Sequence, residues 1–315
     1  MTGTSGTGGN GPGPLPGTGG TTGGGTAGSG AGGARPAGTG GTTGSAGSTG
    51  SAGASGMGGA VGSSGCGATT FPAGDMTYTI DVAGVSRTYI VGLPAAYDPN
   101  KKNRVVFAWH GRTGTAAQIA GGGATRAYYG LRARMTDTIF VAGQGLGTDA
   151  DPADTGWPNT GGRDIAFVRA MVGWLNTNYC VDQARIFSTG FSYGGIMSHT
   201  IGCQMSDVFR AIAPIAGAIF GRPTCTTRQI AAWMTHGTMD TAASGGVDYS
   251  AGMTARDRLV TLNHCMATTV ATAPTPCVSY DGCDSGYPVH WCSHTGAHVI
   301  PAFAAEGISN FFLQF

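Results

Sequence analysis

The sequence predicts a three-layer α/β sandwich around a mostly parallel sheet. Apolar runs typical of buried strands alternate with helical patterns along most of the chain, and a period-2 pair of runs precedes them. In addition, a GxSxG motif at residues 190–194 stands where an apolar run gives way to a helical pattern. Because chemistry in such sheets collects at the carboxyl ends of the strands, functional residues are sought there.

The predicted elements follow one another in a regular order. Residues 76–82 and 86–93 alternate with period 2 and form a hairpin at the edge of the sheet. The continuous apolar runs at 105–109 and 138–142 predict central parallel strands. Further strands are predicted at 185–189, 211–216, 231–235 and 288–291, and helices at 165–175, 193–205, 251–262 and 302–315.

The first 65 residues have the composition of a disordered linker. Residues 1–65 are almost wholly Gly, Thr, Ser and Ala, with Arg35 as the single charge and no aromatic residue. Such a segment buries too little apolar surface to offset the entropy of ordering it. Residues 66–315 hold every cysteine and every aromatic residue, and no second polar linker interrupts them, which predicts one folded domain.

Charge and hydropathy exclude several kinds of partner. The net charge is +1 and only 10% of residues are charged, which argues against nucleic acid as a partner. No run of about 20 apolar residues occurs, so no transmembrane segment is predicted. We expect the domain to act as a monomer.

The eight cysteines favour an oxidising compartment. They form no CxxC pair and are spread from Cys66 to Cys292, a pattern typical of disulfides rather than of zinc ligands. Their connectivity stays open, because eight cysteines allow 105 pairings. Since no signal segment follows Met1, we expect that the chain starts downstream of one. The protein is then secreted, or the linker tethers it to a membrane or cell-wall anchor.

Ser192, at the centre of the GxSxG motif, is the predicted nucleophile. A strand that feeds directly into a helix bends so tightly that its apex residue takes strained backbone angles, and flanking glycines remove the Cβ atoms that would collide. The alternative is that Ser192 only caps the helix. The motif nevertheless occurs once in a chain with 59 glycines, and it occurs between a strand and a helix.

A nucleophilic serine needs a base, and the base needs a carboxylate that orients it. Asp240 is the predicted carboxylate because it closely follows a buried strand at the active edge of the sheet. The other acidic candidates, which are less well placed, are Asp248, Asp281 and Asp284. The chain order serine, acid, histidine then leaves the four histidines that follow Asp240 as candidates for the base.

His298 is the predicted base. It lies in the loop at 293–301 between the last strand and the last helix, where an imidazole reaches over the sheet edge. His290 falls inside a strand and His264 at a helix end, whereas His294 stays open as a competitor. This mechanism requires no metal or other cofactor.

Backbone amides are the predicted donors to the oxyanion of the tetrahedral intermediate. One is the N–H of Tyr193, directly after the nucleophile at the helix N-terminus. The other comes from the turn at 110–114, with the N–H of Arg112 as the best candidate. His110 is grouped with the substrate-binding residues, although bracing of this turn is favoured over direct proton transfer.

Residues 66–315 resemble secreted feruloyl esterases of carbohydrate esterase family 1 and the related polyhydroxybutyrate depolymerase-like esterases. The segments that carry the resemblance are SRTY at 86–89, WHG at 109–111, GWPNTGGRD at 156–164, CVD at 180–182, GFSYGG at 190–195, VFRA at 208–211, HGTMD at 236–240, YPV at 287–289 and GAH at 296–298. The resemblance implies an α/β-hydrolase fold and a triad of Ser192, Asp240 and His298. It also implies that Trp157 lines the acyl or alcohol site.

Two features stand apart from the resemblance. Residues 299–301 are Val-Ile-Pro, where the family carries a more polar, aromatic-containing turn. The segment at 143–154 carries Asp149, Asp151 and Asp154, which could hold calcium, but their spacing matches no known binding loop and a solvated acidic loop is favoured.

The leading hypothesis is an exported serine esterase acting on hydroxycinnamoyl or acetyl esters of plant polysaccharide. The first alternative is a polyester depolymerase acting on poly(3-hydroxybutyrate) or a similar polymer, since the mechanism determines the bond type and leaves the acyl and alcohol groups open. The second alternative is a surface-tethered protein that keeps the fold and binds glycan without turnover.

Overall fold

The computed structural model of the chain describes residues 63–68, 74–122, 126–147, 151–220 and 224–315. The linker predicted over 1–65 therefore lies outside the described residues, apart from its last three. Ser63 donates a side-chain hydrogen bond of 2.5 Å to the carbonyl oxygen of Tyr179, and the N–H of Gly65 donates one of 3.0 Å to Asn176. Residues 63–65 thus pack on the folded part.

The described strands form one twisted sheet in the order β1-β2-β4-β3-β5-β6-β7-β10-β9-β8. Their bounds are β1 Asp75–Val82, β2 Val85–Gly92, β3 Asn103–Trp109, β4 Thr138–Gly143, β5 Val181–Phe191, β6 Ala211–Ile215, β7 Ala231–Gly237, β8 Thr269–Ala271, β9 Val278–Tyr280 and β10 Val289–His294. Strands β3 to β7 and β10 run parallel, so their carboxyl ends meet at one edge.

The predicted hairpin of β1 and β2 is present at one end of the sheet. Its two turn residues, Ala83 and Gly84, have φ values of 53° and 82°. Positive φ at both turn positions matches the right-handed twist of the flanking strands, which explains the glycine at the second position. The hairpin pairs antiparallel with β4, so it extends the parallel core without shifting its register.

Helices cover both faces of the sheet, which is the α/β-hydrolase arrangement that the sequence predicts. Their bounds are α1 Ala116–Ala120, α2 Arg163–Asn178, α3 Tyr193–Gln204, α4 Tyr249–Leu262 and α5 Ala304–Phe312. Residues of α2, α3 and α4 pack into one apolar core, and residues of α1 and α5 pack into the other. Strands buried on both faces require continuous apolar runs, and β4, β6 and β7 are buried throughout. No helix among the described residues is long and apolar enough to cross a membrane.

The described cysteines form four disulfides, as the composition predicts. The pairs are Cys66–Cys180, Cys203–Cys225, Cys265–Cys283 and Cys277–Cys292. Two of them border the short strands β8 and β9, which the sequence analysis did not predict. Three-residue strands carry too little periodicity to stand out in a sequence, and here disulfides hold the segment in place.

Candidate active site

Ser192 lies at the apex of a sharp turn between β5 and α3. Its φ of 58° and ψ of −119° are strained for a residue with a side chain. The turn is possible because its neighbours are glycines: a Cβ at Gly194 would collide with the carbonyl oxygen of Trp109, and one at Gly190 would lie 2.5 Å from the Gly194 backbone. The Ser192 N–H donates a 3.0 Å hydrogen bond to the carbonyl oxygen of Ile215, which ties the turn to β6.

The side chains of Ser192, His298 and Asp240 form a continuous hydrogen-bonded chain. The Ser192 Oγ lies 2.8 Å from His298 Nε2, and His298 Nδ1 lies 2.7 Å from Asp240 Oδ2. A carboxylate oxygen can only accept, so Nδ1 carries the proton and Nε2 is free to accept from the serine hydroxyl. The structure thus unites the three residues that the sequence singled out, although they are up to 106 positions apart.

The loop after β7 holds the Asp240 carboxylate away from water. The side chain is fully buried, and its Oδ1 accepts a 3.0 Å hydrogen bond from the N–H of Val247. Its Oδ2 also lies 3.2 Å from Nε2 of His236, a residue of β7 itself. Between Asp240 and Val247 the chain passes close by, since a Cβ at Gly246 would collide with Asp240 Oδ1.

His298 lies in the turn after β10, and His294 does not take its place. β10 extends to His294, three residues beyond the predicted end of that strand. The Nδ1 of His294 accepts a 3.1 Å hydrogen bond from the N–H of Gly296, so this histidine shapes the turn. The ring of His298 packs on Phe191, with ring centroids 4.7 Å apart.

A cavity of about 740 Å³ opens beside Ser192. One wall follows a single side of α3, since Ser192, Ile196, Thr200 and Gln204 are spaced four residues apart and all line it. The other lining residues are Arg112, Asp154, Trp157, Pro158, Asn159, Gly162, Tyr193, Phe220, Gly245, Gly246 and Val247. The cavity therefore runs from the serine along the helix for a distance of roughly 18 Å.

Both residues predicted to supply oxyanion donors line this cavity. Tyr193 is the first residue of α3, and its N–H has no acceptor within the part of the chain that the structure describes. Arg112 follows Gly111, where a Cβ would lie 3.6 Å from the Ser192 Cβ. The Arg112 side chain forms two hydrogen bonds of 2.5 and 2.6 Å with Asp154, which links this turn to the acidic segment at 151–154.

Trp157 and His110 are both almost fully buried beside the cavity, and only Trp157 lines it. Trp157 lines the wall with only 1% of its surface exposed, and its Nε1 donates a 2.9 Å hydrogen bond to the carbonyl oxygen of His110. His110 is also 1% exposed and does not line the cavity. Its Nδ1 donates to the carbonyl oxygen of Gly111 at 2.7 Å and its Nε2 accepts from the N–H of Gly145 at 2.9 Å.

Burial lowers the pKa of His110, which keeps the ring neutral near pH 7. Both of its nitrogens are occupied by the backbone, so the ring braces two loops and has no free position for a substrate. This geometry favours the bracing role of His110, and its assignment to substrate binding stays a prediction.

The chain is similar in sequence to curated feruloyl esterases. The chain is 33% identical to feruloyl esterase D of Neurospora crassa over 248 residues, which cover 75% of this chain and 82% of the relative. The chain belongs to the feruloyl esterase family. It is a carboxylic ester hydrolase.

Solved structures agree with this family at the level of the fold. A CE1 ferulic acid esterase from Anaeromyces mucronatus, determined in complex with ferulic acid, matches with a TM-score of 0.53 and 19% identity over 76% of this chain and 89% of its own. An acetyl xylan esterase from Aspergillus awamori matches with a TM-score of 0.57 and 14% identity over 75% of this chain and 98% of its own. The Prolyl oligopeptidase family profile also matches residues 139–266 of this feruloyl esterase family member.

Two residues of the site went unnoticed in the sequence. The hydroxyl of Tyr129 hydrogen-bonds to the backbone of Trp109 at the end of β3 and of Phe191 at the end of β5. Nothing in the sequence around Tyr129 indicates these contacts. His236 stands four positions before Asp240, and its place in the HGTMD segment was a signal that could have been used.

Proposed function

We propose that Ser192, His298 and Asp240 are the catalytic residues of an acyl-enzyme mechanism that hydrolyses hydroxycinnamoyl or acetyl esters of plant polysaccharide. The observation that carries this proposal is the unbroken hydrogen-bond chain from Ser192 Oγ through His298 to Asp240 Oδ2, at distances of 2.8 and 2.7 Å.

The first half of the reaction forms an acyl-enzyme. Ser192 Oγ attacks the ester carbonyl carbon while its proton moves to His298 Nε2, and the carbonyl oxygen becomes an oxyanion. The backbone N–H groups of Tyr193 and Arg112 donate to that oxyanion. Asp240 stabilises the imidazolium through Nδ1–H. His298 then returns the proton to the sugar oxygen, the bond between carbonyl carbon and sugar oxygen breaks, and the alcohol leaves.

The second half returns the enzyme to its starting state. His298 Nε2 takes a proton from a water molecule, whose oxygen attacks the acyl carbon. The second tetrahedral intermediate collapses as His298 gives that proton to Ser192 Oγ, and the free acid departs. Each proton accepted at Nε2 is thus passed on within the same half-reaction, to the alcohol in the first half and to Ser192 Oγ in the second.

The shape of the cavity favours a hydroxycinnamoyl group over an acetyl group. The wall beside Ser192 continues along α3 through Ile196 and Thr200, and Phe220 and Val247 also line the space. Apolar and aromatic walls suit a planar ring, and the Thr200 hydroxyl offers a hydrogen-bond partner. An acetyl group would fill only a small part of about 740 Å³.

Methyl ferulate hydrolysis by wild type and by Ser192→Ala tests this function. We expect ester hydrolysis by the wild type and a loss of at least about 10⁴-fold in the variant, because the nucleophile is removed. A kcat/KM for methyl ferulate above that for p-nitrophenyl acetate would support the hydroxycinnamoyl assignment. Equal, slow hydrolysis of p-nitrophenyl acetate by both proteins would instead favour a binding protein without turnover.

One observation favours polyester hydrolysis as the second candidate. Four apolar side chains that follow the carboxyl ends of β6, β7 and β10 are 43–62% exposed: Phe220, Met239, Val299 and Ile300. Exposed apolar groups that follow the strand ends at the edge where Ser192 lies suit a hydrophobic polymer surface. Clearing of a polyhydroxybutyrate suspension faster than hydrolysis of methyl ferulate would select this candidate.

We also propose that the protein is exported and acts as a monomer. The four disulfides among the described residues support an oxidising compartment. The proposed catalytic residues all come from one chain, which supports activity without a second copy. Light scattering and non-reducing mass spectrometry of the native protein test both statements.

A further inference from the structure

A second histidine contacts the Asp240 carboxylate. His236, near the end of β7, has its Nε2 3.2 Å from Asp240 Oδ2, the same oxygen that faces His298. The side chains of His236 and Asp240 are 1% and 0% exposed. One buried oxygen is thus shared by two imidazoles that come from different parts of the chain.

The surroundings of His236 determine which of its nitrogens carries the proton. Its Nε2 also lies 2.8 Å from the carbonyl oxygen of Val247. Both neighbours of Nε2 are acceptors, so this nitrogen carries the hydrogen and donates it. Burial lowers the pKa of His236, which keeps the ring neutral near pH 7. A nitrogen occupied in this way cannot take the proton of Ser192, so His236 is not a rival base.

The contacts of His236, Asp240 and Val247 close a ring. The N–H of Val247 donates 3.0 Å to Asp240 Oδ1, while its carbonyl oxygen accepts from His236 Nε2. Each carboxylate oxygen therefore has a partner that does not belong to His298. Rotation of the carboxylate would break both contacts at once in a buried site, where unpaired polar groups are costly.

The imidazole of His236 has little room to move. Its ring lies 6.0 Å from that of Tyr249 and 6.4 Å from that of Trp291, measured between centroids. On the α4 side, a Cβ at Gly252 would collide with His236 Nδ1, so only glycine leaves space for the ring. The titratable groups near the ring are His199, Asp240, Tyr249, His294 and His298.

We propose that His236 is a positioning residue: its Nε2–H, hydrogen-bonded to the carbonyl oxygen of Val247, also faces Asp240 Oδ2 at 3.2 Å and so keeps that oxygen aimed at His298 Nδ1. The role rests on the proposed function of Asp240 as the acid of the triad. Because it acts on the chemical step through Asp240 and does not itself line the cavity, we expect kcat to depend on it and KM to change little.

Two substitutions of His236 distinguish the effect of losing its hydrogen-bond donor from the effect of changing the shape of its side chain. His236→Leu removes the donor, and we expect kcat for p-nitrophenyl acetate to fall about 10- to 100-fold with KM within about twofold, as for a lost hydrogen bond to a charged group. His236→Gln places an amide N–H near the position of Nε2, and we expect it to restore most of the lost kcat. The downfield proton resonance of His298 Nδ1–H should weaken in the Leu variant and return in the Gln variant.

The matched control is His290→Leu. His290 is another buried histidine of a parallel strand, but its ring packs on Phe311, 4.9 Å away, on the opposite apolar core. We expect His290→Leu to keep wild-type kcat. Thermal unfolding of each variant establishes that it is folded before its rate is compared.

Asp240→Asn separates failure of this inference from failure of the proposed function. A loss of about 10⁴-fold in Asp240→Asn together with an unchanged kcat in folded His236→Leu would overturn the role of His236 alone. Equal losses in folded His236→Leu and His236→Gln would also overturn it, since the donor would then be irrelevant. Full activity in Asp240→Asn would overturn the proposed triad and His236 with it.

Discussion

The hydroxyl of Tyr129 donates a 2.5 Å hydrogen bond to the carbonyl oxygen of Trp109, the last residue of β3. The same oxygen of Tyr129 accepts a 3.2 Å hydrogen bond from the N–H of Phe191, the residue before Ser192. One side chain therefore joins the strand that leads to the proposed oxyanion turn with the strand that carries the proposed nucleophile. The relative position of these two strands determines whether the Ser192 hydroxyl and the oxyanion donors can contact the same ester group.

Tyr129→Phe should lower kcat about 3- to 30-fold and the free energy of unfolding by about 1–3 kcal/mol, because a buried N–H and a buried carbonyl lose their shared partner. Steady-state kinetics and chemical denaturation measure the two effects. Tyr128→Phe is the matched control, since its hydroxyl donates instead to Asp75 in β1. A Tyr129→Phe enzyme with wild-type kcat would contradict the positioning role.

Gly246→Ala should abolish most of the esterase activity. The added Cβ would collide with Asp240 Oδ1 and lie 2.9 Å from the His298 Cβ, so the acid and the base must move. We expect kcat to fall about 100-fold, as for other small displacements of catalytic groups. Gly173→Ala is the control: it meets nothing within 4 Å in α2 and should add about 0.5–1 kcal/mol of stability without loss of activity.

Asp154→Asn should lower kcat several-fold and leave KM nearly unchanged. Its carboxylate holds the exposed Arg112 side chain by two hydrogen bonds, and the Arg112 backbone is the second proposed oxyanion donor. The difference in kcat between wild type and variant should shrink at high ionic strength, because salt weakens the exposed ion pair of Arg112 and Asp154 in the wild type. Asp182→Asn, which breaks the 2.6 Å pair with Arg185 at the opposite end of β5, should not change kcat.

Acidification should destabilise the fold partly through His290. Burial lowers the pKa of His290 to about 4, from a usual value near 6.5. The folded state then binds fewer protons than the unfolded state, so the stability present above pH 6.5 is lost as pH falls toward 4. His199, whose pKa burial lowers to about 3, acts in the same direction.

His290→Leu should therefore show a smaller drop in Tm between pH 7 and pH 5 than the wild type. Val289→Ala, a neighbouring substitution that does not titrate, should lower Tm by a similar amount at both pH values. Thermal unfolding followed by circular dichroism gives all three slopes. An equal pH slope in wild type and His290→Leu would show that His290 binds its proton alike in the folded and unfolded states, and would contradict this prediction.

Much of the fold could be predicted because its strands are buried on both faces. β3, β4, β6 and β7 appear in the sequence as uninterrupted apolar runs, and a parallel sheet requires such runs. The strands β8 and β9 could not be predicted, because they are exposed or half-buried, three residues long and held by disulfides rather than by a core.

Some residues of the site could be predicted from the sequence and others could not. Ser192 could be predicted because its turn requires glycines on both sides. Asp240 and His298 could be predicted from their positions after strands. The role of His110 could not be decided from the sequence, since its position at a strand end fits substrate contact as well as bracing. Only its burial and the two backbone partners of its ring distinguish these roles.

By itself, the sequence determined the layered architecture, the serine at the strand-to-helix turn and the order in which acid and base follow it. These properties depend on periodicity and on local steric limits, which neighbouring residues express directly. The tertiary structure alone decided that His236 shares Asp240 with His298 and that Tyr129 joins β3 to β5. Such contacts link side chains to partners on other elements, and only the packing of strands and loops sets the distances between them.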